Sequence, residues 1–294
     1  MINENAKNEI RKLYTSKEYI LGKKCEVLRK NFKSFHFIKA FRNICFLLKY
    51  KHQNSIYFKE NSNVKINNDI DFSKKKIVIY TCVTGNYDNL LEPIFISSNI
   101  NYVVFTDIDI KSNVWIKKSI PEKLKNMNNP MINRYIKLHP YEFLNDYDYA
   151  MYIDGNVHVL DNVLPMFNSL NLDYGISMHN HYLRNDVYDE ANNCIKFKKG
   201  NKKYIKIQMK NYKENGFPNN YGLLEATIIV SDLNNVVAKG IFNDWWSELI
   251  GSKSMRDQLS LPYVLWEKNI TIDKIGTLGN NEYANENFFI ISHS

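Results

Sequence analysis

Asp154 and Asn156 stand two residues apart around Gly155. A carboxylate and an amide oxygen at that spacing can both reach one hard divalent cation, Mg2+ or Mn2+. The amide is the weaker ligand, so a diphosphate would have to supply further oxygens. Arg134 and Lys137 lie one helical turn apart and could clamp the same diphosphate, the guanidinium in fork geometry. His293 follows the apolar stretch 288–291 and could fold back as a further metal ligand. Each feature has a plainer reading beside it. Asp-Gly-Asn is a common tight turn, a basic helix face is usually just solvated, and a residue next to the end often frays.

Other candidates follow apolar runs. Residues 77–83 carry Thr81 and lead into Thr84-Gly85-Asn86-Tyr87, and residues 102–106 end at Asp107. Residues 174–178 end at His179-Asn180-His181, two histidines at a strand end. His181 with Arg184 and Glu190 forms a dense polar cluster, although a histidine is commonly a satisfied structural group. Asp257 opens a helical pattern, where it reads either as a cap or as a group that orients or deprotonates an acceptor hydroxyl. Trp245, Trp246 and Trp266 read as core aromatics, with sugar stacking the alternative.

The elements that must position these residues alternate strand and helix. Strands are predicted at 77–83, 102–106, 149–153, 174–178 and 226–230, and helices at 132–144, 236–250 and 257–268. Residues 195–221, rich in Lys and Asn, read as a long loop or hairpin, and 56–75 as a polar connector. This order predicts an α/β domain with a mostly parallel central sheet and flanking helices. In such sheets ligands bind beyond the carboxyl ends of the strands, where these polar residues fall.

Composition narrows the partners. The net charge is +8, but residues 1–60 hold 14 Lys/Arg against 5 Glu, while the other 234 residues hold 25 against 26 Asp/Glu. A nucleic-acid enzyme would carry its basic stripe on the main domain, so nucleic acid is disfavoured. Residues 1–55 have a basic amphipathic helical pattern that could lie on an anionic membrane surface or pack on the body. Four scattered cysteines show no zinc or disulfide spacing, and the N-terminus shows no signal-peptide core. A cytoplasmic enzyme is the expectation, peripheral on the inner face of a membrane if residues 1–55 lie on that surface rather than pack on the body.

Several segments, taken in order, resemble a known family. They are residues 79–88, Phe105-Thr106-Asp107, 133–140, 152–156, His179 to Arg184 with Glu190, Gly222-Leu-Leu-Glu225, and 256–263. The chain looks like the glycosyltransferase-like family formerly called domain of unknown function 616, found among plant wall proteins and bacterial polysaccharide loci, over roughly residues 76–293. The resemblance implies a GT-A (Rossmann-like) fold over 71–294, with the basic helical segment 1–70 outside it. It also implies a nucleotide-diphosphate sugar donor and a saccharide or lipid-linked saccharide acceptor, in capsule- or lipopolysaccharide-type synthesis. Carried over by position, Asp154 and Asn156 fall on the metal motif, and Asp107 on the nucleoside-contacting strand end. Arg134 and Lys137 fall on the basic helix before the motif, and Asp257-Gln258 beside the reacting sugar. Thr81, Thr84, Gly85 and Tyr87 would complete the donor site, and Glu225, His181 or Asp257 would handle the acceptor. Asn156 stands where the family motif has a second acid.

Two rivals remain. A sugar nucleotidyltransferase would favour a Gly-rich phosphate loop with a lysine, whereas residues 83–87 hold one glycine and no lysine. A degenerate transferase that only binds glycans or scaffolds partners is favoured by Asn156 alone.

Overall fold

A computed structural model describes residues 64–85 and 90–291. The basic segment 1–55, Tyr87 and His293 lie outside the described residues. The first elements are β1 (Ile77–Val83), β2 (Ile100–Thr106) and β3 (Trp115–Ser119), then α1 (Asn129–Leu138), α2 (Pro140–Phe143), β4 (Tyr149–Ile153) and β5 (Val157–Val159). There follow β6 (Ile176–Asn180), α3 (Val187–Lys196), α4 (Lys202–Glu214), β7 (Leu224–Asp232), α5 (Val236–Ser252), α6 (Asp257–Glu267) and β8 (Phe288–Ile290).

The main sheet has the order β3-β2-β1-β4-β7-β6. β3, β2, β1 and β4 run parallel, and β7 runs antiparallel to both β4 and β6. The expected mostly parallel α/β sheet is therefore present. Every residue of β1 and of β4 is buried, as continuous apolar runs covered on both faces require. Tyr80, Tyr152, Ile136, Phe242 and Trp245 pack on one side of the sheet, and Ile79, Met151, Phe167 and Ile228 on the other.

Three expectations need correction. The helix foreseen over 132–144 is two helices, broken at His139 (φ −127°, ψ 44°) because Pro140 disfavours helical geometry in the residue before it. The stretch 195–221 is not a long loop but contains α4: Asn201 caps the N–H groups of Lys203 and Tyr204, and Ile205, Gln208 and Tyr212 bury one face. His179 does not follow its strand but lies inside β6.

β7 also carries a bulge. Met178 pairs with Ile229, yet the next residue, His179, pairs with Glu225, so 226–228 have no partner on β6. Bulges bend a strand and re-aim its side chains. Here the bulge sets Glu225 at the rim of the sheet.

Candidate functional site

Since β7 is antiparallel to its neighbours, its first residues meet the carboxyl ends of β1, β2, β4 and β6 at one edge. The start of α6 comes to the same edge through Gln258 and Asp257. At the β1/β2 corner Gly85, in the left-handed region at φ +63°, donates its N–H to Asp107 Oδ1 at 3.0 Å and Oδ2 at 3.2 Å. Thr84 is buried beside it. Thr81 lies two residues inside β1, buried, and its hydroxyl has no partner.

The end of β4 holds a charged core. Lys137 is 3% exposed, and its ammonium lies 3.0 Å from Asp257 Oδ2, 3.7 Å from Asp154 Oδ1 and 4.9 Å from the centre of the Tyr152 ring. The Tyr152 hydroxyl donates to Asp154 Oδ1 at 2.8 Å. Burial alone would raise the Asp257 pKa. The charges of Lys137, Arg134 and Arg256 outweigh burial and hold that carboxyl well below the usual range. Trp245, fully buried, donates its indole N–H to the Asp257 carbonyl at 2.8 Å, which makes it a core buttress. Arg134 turns back along its own helix, Nη1 donating to the Pro130 carbonyl at 3.0 Å, while its buried Nε has no partner.

Asn156 follows in a tight turn. Its Nδ2 donates to the Ile291 carbonyl at 2.6 Å, and its Oδ1 is buried without a partner. An orphaned buried acceptor beside the partly exposed Asp154 carboxylate suits a hard divalent cation. Among the described residues no group of three or more His, Cys, Asp or Glu is arranged to hold a metal. The remaining ligands would have to be water, phosphate oxygens or His293.

On the other flank Gln258 donates to Glu225 Oε2 at 2.8 Å, and His181 Nε2 stands 3.4 Å from Glu225 Oε1 and 3.8 Å from Glu190 Oε2. His181 Nδ1 accepts from the backbone N–H groups of Leu183 (3.1 Å) and Arg184 (3.2 Å). Nε2 faces the glutamates and also lies 3.2 Å from Arg184 Nη2. Burial, then the charge of Arg184, lower the His181 pKa to about 4. Arg184 is bonded through Nε to Glu190 at 2.6 Å. His179 is fully buried, paired with Asn285 Nδ2 at 3.0 Å, and lowered by burial to about 3, so it is a core histidine. Burial, then the charge of Glu190, raise Glu225 to about 7.

One acid escaped the motif reading. Glu282 is 1% exposed, accepts from the Thr227 hydroxyl at 3.4 Å, and leaves Oε2 without a partner. Burial, then the charge of Glu225, raise its pKa far above the ordinary carboxylate value. Nothing in the polar stretch 280–286 marks it out. Only its packing does.

Four strand termini thus bring polar groups to one rim of a mostly parallel α/β sheet, around the buried pair Lys137 and Asp257. The chain belongs to the TOD1/MUCI70 family of glycosyltransferase-like domains, whose model matches residues 5–283. The matched range takes in most of the N-terminal basic segment. No curated protein matches the chain. Solved structures similar to it include mouse xyloside xylosyltransferase 1, at 10% identity, TM-score 0.41, over 66% of this chain and 82% of that one. The bifunctional glycosyltransferase WbbM is similar at 13% identity, TM-score 0.40, over 70% of this chain and 40% of that one. The galactosyltransferase LgtC, in complex with donor and acceptor sugar analogues, is similar at 14% identity, TM-score 0.37, over 64% and 69%.

Proposed function

We propose that the protein transfers a sugar from a nucleotide-diphosphate donor to a saccharide or lipid-linked saccharide acceptor in surface polysaccharide assembly. The observation that carries this reading is Lys137 held between Asp154 and Asp257 at the edge where β1, β2 and β4 end. Asp107, clasped to the Gly85 N–H, would receive the nucleoside beside the buried Thr84, and Tyr87 would complete that half of the donor site. The diphosphate would lie over Asp154 and Asn156. A divalent cation held by Asp154, Asn156 and His293 would supply Lewis-acid neutralisation of the departing diphosphate.

The other tasks fall to side chains of the chain itself. Lys137 keeps Asp257 ionised and adds positive charge beside Asp154, and Arg134 adds more. Asp257, so strongly held as a carboxylate, is a poor proton acceptor and serves to orient a hydroxyl together with Gln258. Glu225, raised towards neutrality and faced by neutral His181, takes the acceptor's proton. The reaction is placed at the cytoplasmic face, with residues 1–55 bringing the enzyme to an anionic membrane. Among the described residues no helix is long and apolar enough to cross one.

Donor hydrolysis across a panel of nucleotide sugars, in Mn2+ and then with chelator, tests the reading. Turnover is expected in Mn2+ and lost on chelation, and Asp154→Ala should weaken Mn2+-dependent nucleoside diphosphate binding by about tenfold or more. Unchanged binding and turnover in that variant would remove the metal assignment. The second reading, a glycan-binding protein, is favoured by Asn156 and gains if calorimetry detects glycan binding but no nucleotide sugar.

A further inference from the structure

The C-terminal strand closes on the Asp154-Gly155-Asn156 turn. β8 pairs antiparallel with β5 through Val157↔Ile290 and Val159↔Phe288, and Phe288 is buried in the core. One residue beyond this ladder the Ile291 N–H donates to the Asn156 carbonyl at 2.9 Å, and Asn156 Nδ2 donates to the Ile291 carbonyl at 2.6 Å. A backbone carbonyl can only accept, so the amide must present its nitrogen there and turn its oxygen away. That oxygen is buried and has no partner. A buried acceptor left unpaired is costly, so its persistence beside Asp154 calls for a ligand.

We propose that Ile291, carried by β8, is a positioning residue for the cation site: it orients the Asn156 amide so that Oδ1 serves as a ligand. The turn accordingly carries asparagine because a carboxylate there would confront the Ile291 carbonyl, oxygen against oxygen. Asn156 is then a fitted part of the site. For its ligand this inference rests on the cation reading above, while the amide–strand geometry stands apart from it. Partners that orient a metal ligand from behind are commonly worth tenfold or more in affinity.

The test is a coupling experiment with two readouts, Mn2+ binding by electron paramagnetic resonance and Tm. The proteins are the full chain, Asn156→Asp, the chain ending at Ile290, and the combination. In the full chain Asn156→Asp is expected to lower Tm by about 5 °C, as an unpaired buried group would, and to leave Mn2+ binding no tighter. In the chain ending at Ile290 the same substitution should cost no Tm and bind Mn2+ about tenfold tighter than its Asn156 counterpart. Shortening the chain also removes His293. His293→Ala in the full chain should therefore keep the Tm penalty of Asn156→Asp. If the shortened chain does not fold, two glycines inserted between Ile290 and Ile291, which move the 291 carbonyl away from Asn156 and keep Phe288–Ile290, should relieve the penalty in its place. Tighter Mn2+ binding by Asn156→Asp in the full chain, or an equal Tm penalty with and without Ile291, overturns the positioning role. Coupled Tm changes with no Mn2+ bound by any variant would instead overturn the cation reading, and with it the ligand role of Oδ1.

Discussion

Glu225→Gln is expected to lower kcat/KM about a thousandfold, within the range that a lost general base costs. The wild-type rate should climb with pH up to about 7 and level off above it, because Glu225 accepts a proton only when ionised and burial, then Glu190, hold its pKa near that value. The variant should show a low rate without that limb. Stability should run the opposite way. A carboxyl whose folded pKa lies above its unfolded value of about 4.3 binds more protons in the native state, so its contribution is present below the unfolded pKa and is lost as pH rises through about 7. Tm measured from pH 5 to 8 should therefore fall less for Glu225→Gln than for the wild type. Activity within threefold of wild type across that range would eliminate Glu225 as the base.

Lys137→Met should destabilise the protein by about 3 kcal/mol, the scale of a buried ion pair stripped of one member. The ammonium at 3.0 Å from Asp257 and 3.7 Å from Asp154 is almost wholly removed from solvent, so its loss leaves a carboxylate in the core with only Arg134 and Arg256 for relief. Asp257 has a depressed folded pKa, so its contribution is present above its unfolded value of about 3.9 and is lost as pH falls through the folded one. The deficit in the variant should thus be largest at neutral pH and shrink in acid. Combining it with Asp257→Leu should restore part of the stability, since replacing both members of a buried pair by apolar groups is often neutral. Urea denaturation at pH 7 and pH 2.5 measures all three proteins. A loss under 1 kcal/mol at pH 7 would mean that water reaches the pair and that its charges are not a structural unit.

Much of this organisation was legible in the chain. Residues 77–83 and 149–153 are unbroken apolar runs, and buried parallel strands require such runs, so both appear with the expected bounds. The polar residues after β1, β2 and β4 fall at one edge for the same topological reason. β3 was not legible. It is an edge strand with one buried residue, Trp115, and its lysines leave no alternation to read. α4 was hidden by its lysines and asparagines, although Asn201 and the spacing of Ile205, Gln208 and Tyr212 were available as signals. Spacing alone placed Arg134 and Lys137 on one helix face as equals. Packing makes Lys137 the buried partner of two acids and turns Arg134 back on its own helix, a distinction set by residues 120 positions away. The side of Asn156 that faces Ile291, and the burial of Glu282, depend on the last stretch of chain folding back, which no local pattern encodes.

The long reach of these contacts bears on how the protein is made. Lys137 meets Asp257 across 120 positions, and Asn156 meets Ile291 across 135. A nascent chain that has already laid down β1, β2 and β4 holds Asp154 and Lys137 without their later partners. The two halves join only after residue 257, and the turn at Asn156 is clasped only when residue 291 has left the ribosome. Contacts of such separation form late, after the entropy of closing long loops has been overcome. Until then Lys137 has only Asp154 for a partner and the centre is left uncovered, which makes the unfinished chain more open than the folded one to aggregation and to proteolysis.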